Sequence, residues 1–431
     1  MNKFLIAAAT SNSGKTTFTM GLLRALAQRG LKVQPFKCGP DYIDPMFHRI
    51  ASGRESVNLD TFMASGDHVK ELFRRYGADA DVCVVEGVMG LFDGYDKSRG
   101  SSAELAQLLD LPVILVVNAQ SAAYSVAATI YGFSRFNPNV RIAGVVFNMV
   151  ASERHYAYLQ DACADAGVPC LGYMSRNPEL VVPGRHLGLS TAELERAEAL
   201  VEKAAKEVAP LLLPRGGGLG DSIFLPKENN EIHTVTAPHP RGSWRVAVAR
   251  DEAFNFTYRA NLDTLAQKGT LEFFSPLRDK ALPPCDLLYL PGGYPELFAS
   301  ELAANAPMRE SIRAFAENGG RIIAECGGFM YLTQAIDGQP MCGVFPMSAT
   351  MDGARLHLGY RTMRRGDQTL RGHEFHYSSV VEQPLPDAVT VERLQQTAKG
   401  MPVGTPLYRY RNVIAGYTHW YWAETGLPFF T

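Results

Sequence analysis

The chain has no excess of either charge, no paired cysteine motif and no apolar run of bilayer-spanning length, and each lack removes a class of function. Lys and Arg number 42 against 44 Asp and Glu, a formal charge of -2. Nothing electrostatic argues for a nucleic acid or an acidic membrane surface as partner. The seven cysteines (38, 83, 163, 170, 285, 326 and 342) are odd in number, scattered, and include no Cys-x-x-Cys pair. That speaks against a disulfide framework or a structural zinc site, and for a reducing compartment. No apolar stretch approaches the ~20 residues of a transmembrane helix. The apolar start Met1–Ala9 leads directly into Ser13-Gly-Lys-Thr16, which reads as a first strand rather than a signal peptide. These absences predict a cytoplasmic protein. At 431 residues the chain exceeds what one core usually supports, so two domains are expected.

What is present begins with a phosphate loop. Phe4–Ala9 reads as a strand and Thr10–Ser13 as a small-residue loop, while Phe18, Leu22, Leu23 and Leu26 give the following segment helical spacing. A strand, a loop ending in Gly14-Lys15-Thr16 and a helix form the P-loop context. Backbone N–H groups from Ser13 onward would cradle phosphate oxygens, Lys15 would reach the outer phosphates and Thr16 would ligate Mg²⁺. The first glycine of the usual pattern is replaced by Ala9. Further apolar runs at Lys32–Phe36, Asp81–Glu86, Pro112–Val117 and Ile142–Phe147 alternate with helical segments, predicting an α/β, mostly parallel, doubly wound sheet. Ligands of such sheets bind beyond the carboxyl ends of strands. There the sequence offers Lys37, Asp41, Asp44, Glu86, Asn118 and Asn148. A lysine and several carboxylates at strand ends suit an ATP–Mg²⁺ site with a second cation aimed at an anionic acceptor.

Ser11–Thr17, Lys37–Pro45 and Glu86–Gly94 resemble the N-terminal domain of the cobyrinic acid a,c-diamide synthases, itself similar to dethiobiotin synthetase. The resemblance implies that Ser13, Gly14, Lys15, Thr16 and Thr17 bind ATP phosphates and that Asn148 contacts adenine. It also implies that Thr16, Asp41 and Glu86 surround Mg²⁺ and that Lys37 stabilises the transferred phosphoryl group. The family loop is richer in glycine than this one, which has Ala9 and Asn12. Ser190-Thr-Ala-Glu193 is a capping box opening a helix through about Val208, which Pro210 ends. His186–Leu189 resembles a segment of the same family with no assigned role. Pro214–Asp221 and Pro226–Ser243 read as linker. The expected division is therefore 1–209 for an ATP-binding domain, 210–243 for the linker and 244–431 for a second domain.

In that second domain Arg321–Glu325 is a short apolar strand running into Cys326-Gly327-Gly328 and a helical pattern. This reads as a nucleophile elbow, in which a sharp strand-to-helix turn exposes the reactive side chain. Local sequence alone leaves it level with a buried cysteine beside a Gly-Gly turn. Two further features tip the balance. Cys285–Leu290 reads as a strand running into Gly292-Gly293, whose N–H groups, with that of Gly327, could form an oxyanion hole at Gly293 and Gly327. His419 falls after the apolar run Asn412–Ala415, at an expected strand end, among base candidates that also include His357, His373 and His376. His373 and His376 have a spacing that could suggest metal, but in a strand such positions point to opposite faces.

Pro291–Glu296, Ala324–Leu332, Arg371–Ser378 and Gly416–His419 resemble the class I (triad) glutamine amidotransferase domain, flavodoxin-like in fold, in the version fused to cobyrinic acid a,c-diamide synthases. The resemblance implies Cys326 as nucleophile and His419 as its base. Two residues beyond His419, where a triad glutamate is usual, this chain has Tyr421. Glu374 and Glu424 are the alternatives, and a Cys–His dyad is chemically sufficient. The two halves together imply ATP- and glutamine-dependent amidation of the a and c carboxylates of cobyrinate, with hydrogenobyrinate or a nickel-sirohydrochlorin as alternative tetrapyrrole substrates. An ammonia path from Cys326 to the Lys37 region and a homodimer are further expectations. Two other classes stay open at this point, a P-loop binding or partitioning ATPase with an inert second half and a free-standing amidase or peptidase.

Overall fold

A computed structural model describes residues 2–181, 191–213, 242–381 and 383–427. Most of the expected linker, and His186–Leu189, lie outside these residues. The described residues up to 213 form one compact unit and those from 242 onward form another. No helix among them is long and apolar enough to cross a membrane.

The first unit is built on strands β1 (Asn2–Ala8), β2 (Val33–Cys38), β3 (Val57–Leu59), β4 (Val82–Glu86), β5 (Val113–Asn118), β6 (Ile142–Val150) and β7 (Cys170–Ser175). They lie in the order β3-β2-β4-β1-β5-β6-β7, every neighbouring pair parallel. Helices cover both faces, so the strands carry the continuous apolar runs typical of parallel sheets. The edge strands β3 and β7 have no such run long enough to stand out in sequence. Helix α1 (Lys15–Gln28) buries Phe18, Leu22, Leu23 and Leu26, the residues its spacing predicted. The helix predicted to end near Val208 is Thr191–Val208, and it buries Ala197, Leu200, Val201, Ala204, Ala205 and Val208 in the same cluster as α1. Gly21 lets the two helices close up, because a Cβ there would lie 2.6 Å from the Ala204 carbonyl oxygen. Pro210 ends the helix but not the unit. A turn at Ala209–Leu212 follows, and Leu212 is fully buried. The segment after Lys37 is not all loop, since a helix spans Ile43–Ser52. Asp41 Oδ1 accepts from the N–H groups of Ile43 and Asp44, and Pro45 falls in the first turn, where proline needs no N–H partner.

In the second unit five parallel strands form the sheet centre: Val413–Gly416, Arg321–Glu325, Leu287–Leu290, Trp244–Ala249 and Gly269–Phe274. Leu407–Tyr410 and Val389–Glu392 extend it antiparallel. A separate antiparallel sheet joins Gln395–Thr397, His357–Arg365, Gln368–His376 and His419–Tyr421. His419 therefore does not end a strand of the central sheet. It opens a strand of the other one, two residues (Tyr417 and Thr418) after the central strand ends at Gly416.

Candidate functional site

In the first unit the sheet itself assembles the polar residues. Parallel register sets Lys37 beside Glu86 and Asn118 beside Asn148, all at carboxyl ends. The loop after β1 closes at Gly14 with φ +92°, and a methyl there would also strike the Asn148 side chain. Glycine is required on both counts. Asn12 takes φ 61° in the same loop, which asparagine tolerates better than most residues. Asn148 Nδ2 donates to the Ser13 carbonyl at 3.1 Å, and Oδ1 accepts from the Met149 N–H at 2.9 Å. That engagement braces the loop and occupies the Asn148 amide, for which the resemblance implies an adenine contact. Ser13 Oγ donates to the Thr10 carbonyl at 2.9 Å, and Thr17 Oγ1 donates to the Leu180 carbonyl at 3.4 Å.

Lys15 Nζ donates to the Met89 carbonyl at 2.7 Å. Its burial lowers its pKa, and Glu86 only partly offsets this. Lys37 is the hub of the cluster and only 2% exposed. Its Nζ lies 2.5 Å from Asp44 Oδ2, 3.3 Å from Glu86 Oε1, 3.2 Å from the Gly87 carbonyl and 3.6 Å from Asp41 Oδ2. Burial opposes its charge, but Asp44, Glu86 and Asp41 prevail and hold its pKa well above the usual lysine value. Burial likewise opposes charge on Glu86, and Lys37, His48 and Thr16 outweigh it, keeping that carboxyl below its ordinary range. Asp44 goes the other way, pushed up by burial and by Asp41 and Glu86.

Thr16 Oγ1 donates to Glu86 Oε1 at 2.8 Å, so these two oxygens share one locus at the loop mouth. A hydroxyl and a carboxylate oxygen suit Mg²⁺, which is held by one or two carboxylates plus substrate phosphates rather than by a protein cage. No group of three or more His, Cys, Asp or Glu side chains poised to hold a metal occurs among the described residues. One participant was missed in sequence. His48 is fully buried, its Nε2 2.6 Å from Glu86 Oε2 and its Nδ1 3.0 Å from Ser56 Oγ. It stands one turn after Asp44 on the same helix, a spacing that puts both on one face.

In the second unit Cys326 sits between strand Arg321–Glu325 and helix Gly327–Leu332 at φ 48°, ψ -108°. For a residue with a side chain such backbone costs on the order of 1–3 kcal/mol and persists only where the surroundings impose it. Here its N–H donates to the Gly416 carbonyl at 2.8 Å and its carbonyl accepts from Met330 at 3.0 Å. The thiol is 4% exposed. Burial pushes its pKa above the ordinary thiol value, Glu296 adds to this, and the Gly327 N–H partly offsets it.

Glycines bring the remaining parts close. A Cβ on Gly327 would lie 3.0 Å from the Gly293 nitrogen, so the two expected oxyanion donors are neighbours. A Cβ on Gly292 would collide with the His419 ring, lying 3.1 Å from its Nδ1 and 3.3 Å from Cys326 Cβ. Cys326 and His419 thus border one point. His419 is fully buried, and its pKa is well below the usual histidine value because of burial, then His373 and His376.

The two candidates for a third member, Glu374 and Glu424, sit differently. Glu424 is exposed on a turn. Glu374 Oε2 accepts from Arg361, and strand alternation turns it to the face opposite its neighbour His373. His373 itself pairs with His419 across the antiparallel register and stacks on it, with ring centroids 4.9 Å apart and planes at 16°. The Tyr258 hydroxyl lies 2.8 Å from His373 Nδ1, and Tyr258 packs edge-on against Tyr421. His376 points the other way and stacks on Tyr417 and His357. These last three rings line a cavity of about 770 Å³.

Comparison with known proteins matches each unit to a family. Residues 4–189 match the CobQ/CobB/MinD/ParA nucleotide binding domain, and residues 245–426 match the CobB/CobQ-like glutamine amidotransferase domain. A hydrogenobyrinate a,c-diamide synthase of Brucella abortus is 41% identical over 97% of this chain and 98% of its own length. A cobyrinate a,c-diamide synthase of Listeria monocytogenes is 40% identical over 97% of this chain and 96% of its own. One from Syntrophotalea carbinolica is 40% identical over 98% and 96% respectively.

Proposed function

The chain belongs to the family of cobyrinate and hydrogenobyrinate a,c-diamide synthases, and we propose on that premise that it converts the a and c side-chain carboxylates of cobyrinate to amides, using ATP and glutamine. The observation that carries this reading is the strained turn at Cys326 facing His419, in a chain whose other unit holds a phosphate loop beside Lys37 and Glu86.

In the second unit Cys326 attacks the side-chain amide of glutamine while His419 takes the thiol proton and passes it to the leaving nitrogen. Ammonia departs, a γ-glutamyl thioester remains, and water releases glutamate. Both groups rest uncharged, as their opposed pKa shifts favour, and the ion pair forms only as the bond is made. The N–H groups of Gly293 and Gly327 face the developing oxyanion, and such a donor is worth about 10²–10³ in rate. In the first unit the substrate carboxylate takes the γ-phosphoryl group of ATP to give an acyl phosphate and ADP. Ammonia displaces phosphate from it, leaving the amide. Ser13–Thr17 hold the triphosphate, with Asn148 bracing the loop and adjoining adenine, while Lys37 neutralises charge on the transferred group. Thr16 and Glu86, with Asp41 nearby, would hold Mg²⁺, which supplies charge neutralisation at the phosphates.

The Brucella relative favours a second reading, hydrogenobyrinate as the substrate. Incubating each tetrapyrrole with ATP and glutamine and following product mass separates the two, since only the true substrate gains two amides. Two variants test the division of labour. Cys326→Ala should lose glutamine-dependent synthesis and retain synthesis from ammonium, whereas Lys15→Ala should lose both. Glutamine-dependent synthesis by the Cys326 variant would sink the assignment of the nucleophile.

A further inference from the structure

Glu296 lies three residues beyond Gly293, in the turn Pro295–Phe298. That turn packs on the elbow, since a Cβ on Gly327 would lie 2.7 Å from Pro295 Cδ. Glu296 exerts the largest charge effect on the Cys326 thiol. Its Oε2 is nevertheless buried without a hydrogen-bond partner among the described residues. The charged side chain acting on it is Asp337, of the same sign. A buried carboxylate oxygen lacking both a donor and a counter-charge is costly, and buried polar atoms otherwise find partners in nearly every case. Nothing in the mechanism above uses this group.

Glutamine carries one cation, its α-ammonium, four bonds from the amide carbon that Cys326 attacks. We propose that Glu296 receives this α-ammonium, so that the site selects an α-amino acid amide over a simple amide. The inference rests on the glutamine-hydrolysing reading of this unit. Burial pushes the Glu296 carboxyl up to about 7, and an ammonium docked against it supplies the missing partner. A charge-assisted hydrogen bond of this kind adds orientation as well as affinity. It would hold the far end of the substrate while Gly293 and Gly327 engage the amide oxygen.

The test compares two amides on the full chain, glutamine and 4-carbamoylbutanoate, which lacks only the α-amino group, by ammonia release. The wild-type chain is expected to prefer glutamine by about 10- to 100-fold in kcat/KM, the range for a lost hydrogen bond to a charged group. Glu296→Gln keeps the shape and removes the charge. It should raise KM for glutamine by a similar factor, while any change at the Cys326 thiol from loss of the charge acts on both amides alike, so the preference for glutamine is erased. Hydrolysis of 4-carbamoylbutanoate by the same sample reports that this unit is folded, and Glu296→Asp should recover part of the preference. A Gln variant that keeps the wild-type preference overturns the inference while leaving the amidotransferase reading intact. A wild-type chain that releases ammonia from neither amide overturns that reading, and this inference with it.

Discussion

Cys326 and Cys170 show how far one residue type is governed by its surroundings. Burial raises the Cys326 thiol above the ordinary range. Cys170 is lowered to about 7, chiefly by a hydrogen bond with Cys163, and the Tyr156 hydroxyl adds to this at 3.3 Å. Only thiolate alkylates at a useful rate. In the free protein at neutral pH, iodoacetamide should therefore modify the half-buried Cys170 ahead of Cys326. Raising the pH should increase labelling at Cys170 through neutrality and at Cys326 only in the alkaline range. Peptide mapping by mass spectrometry checks the order, and early labelling at Cys326 would contradict a neutral resting thiol. The cysteine itself was legible in sequence because glycines and an apolar strand frame it. What stands behind His419 was not, because His373 reaches it by strand pairing from 46 positions away in the chain.

At the scale of elements, position depends on how closely neighbours can approach. Gly21 reads as an unremarked residue inside a helix, yet its missing Cβ sets the contact between Lys15–Gln28 and Thr191–Val208. Gly21→Ala would press a methyl on the backbone at Ala204 and should destabilise the first unit by about 1–3 kcal/mol, the usual cost of overpacking. Thermal denaturation measures this, and an unchanged transition would show that the helices can part without loss. Helix Ile43–Ser52 illustrates the converse. Its start was obscured by Pro45, although Asp44 and His48 on its inner face meet Lys37 and Glu86. Strands with long apolar runs were recognisable, and short edge strands such as Val57–Leu59 were not, because three residues carry no periodicity.

At the scale of the molecule, each unit has its own core and its own cluster of polar residues. Each can therefore be probed with its own ligand. ATP with Mg²⁺ at about 100 times its dissociation constant should stabilise the first unit by about 2.7 kcal/mol through mass action. A thermal scan should show that shift in the wild-type chain and in Cys326→Ala, and lose it in Lys15→Ala. A shift that survives in Lys15→Ala would place ATP elsewhere than the loop at Gly14.

The sequence by itself determined the α/β class, the phosphate loop, the elbow at Cys326 and the family, because each is written in contiguous residues whose spacing a local conformation explains. Tertiary structure alone decided that Lys37 and Glu86 stand side by side, that His48 backs Glu86, and that Gly292 borders both Cys326 and His419, with no room for a Cβ beside the ring. It also decided that His373 stacks on His419. Those relations join residues distant in the chain through sheet register and close packing, which no local pattern records.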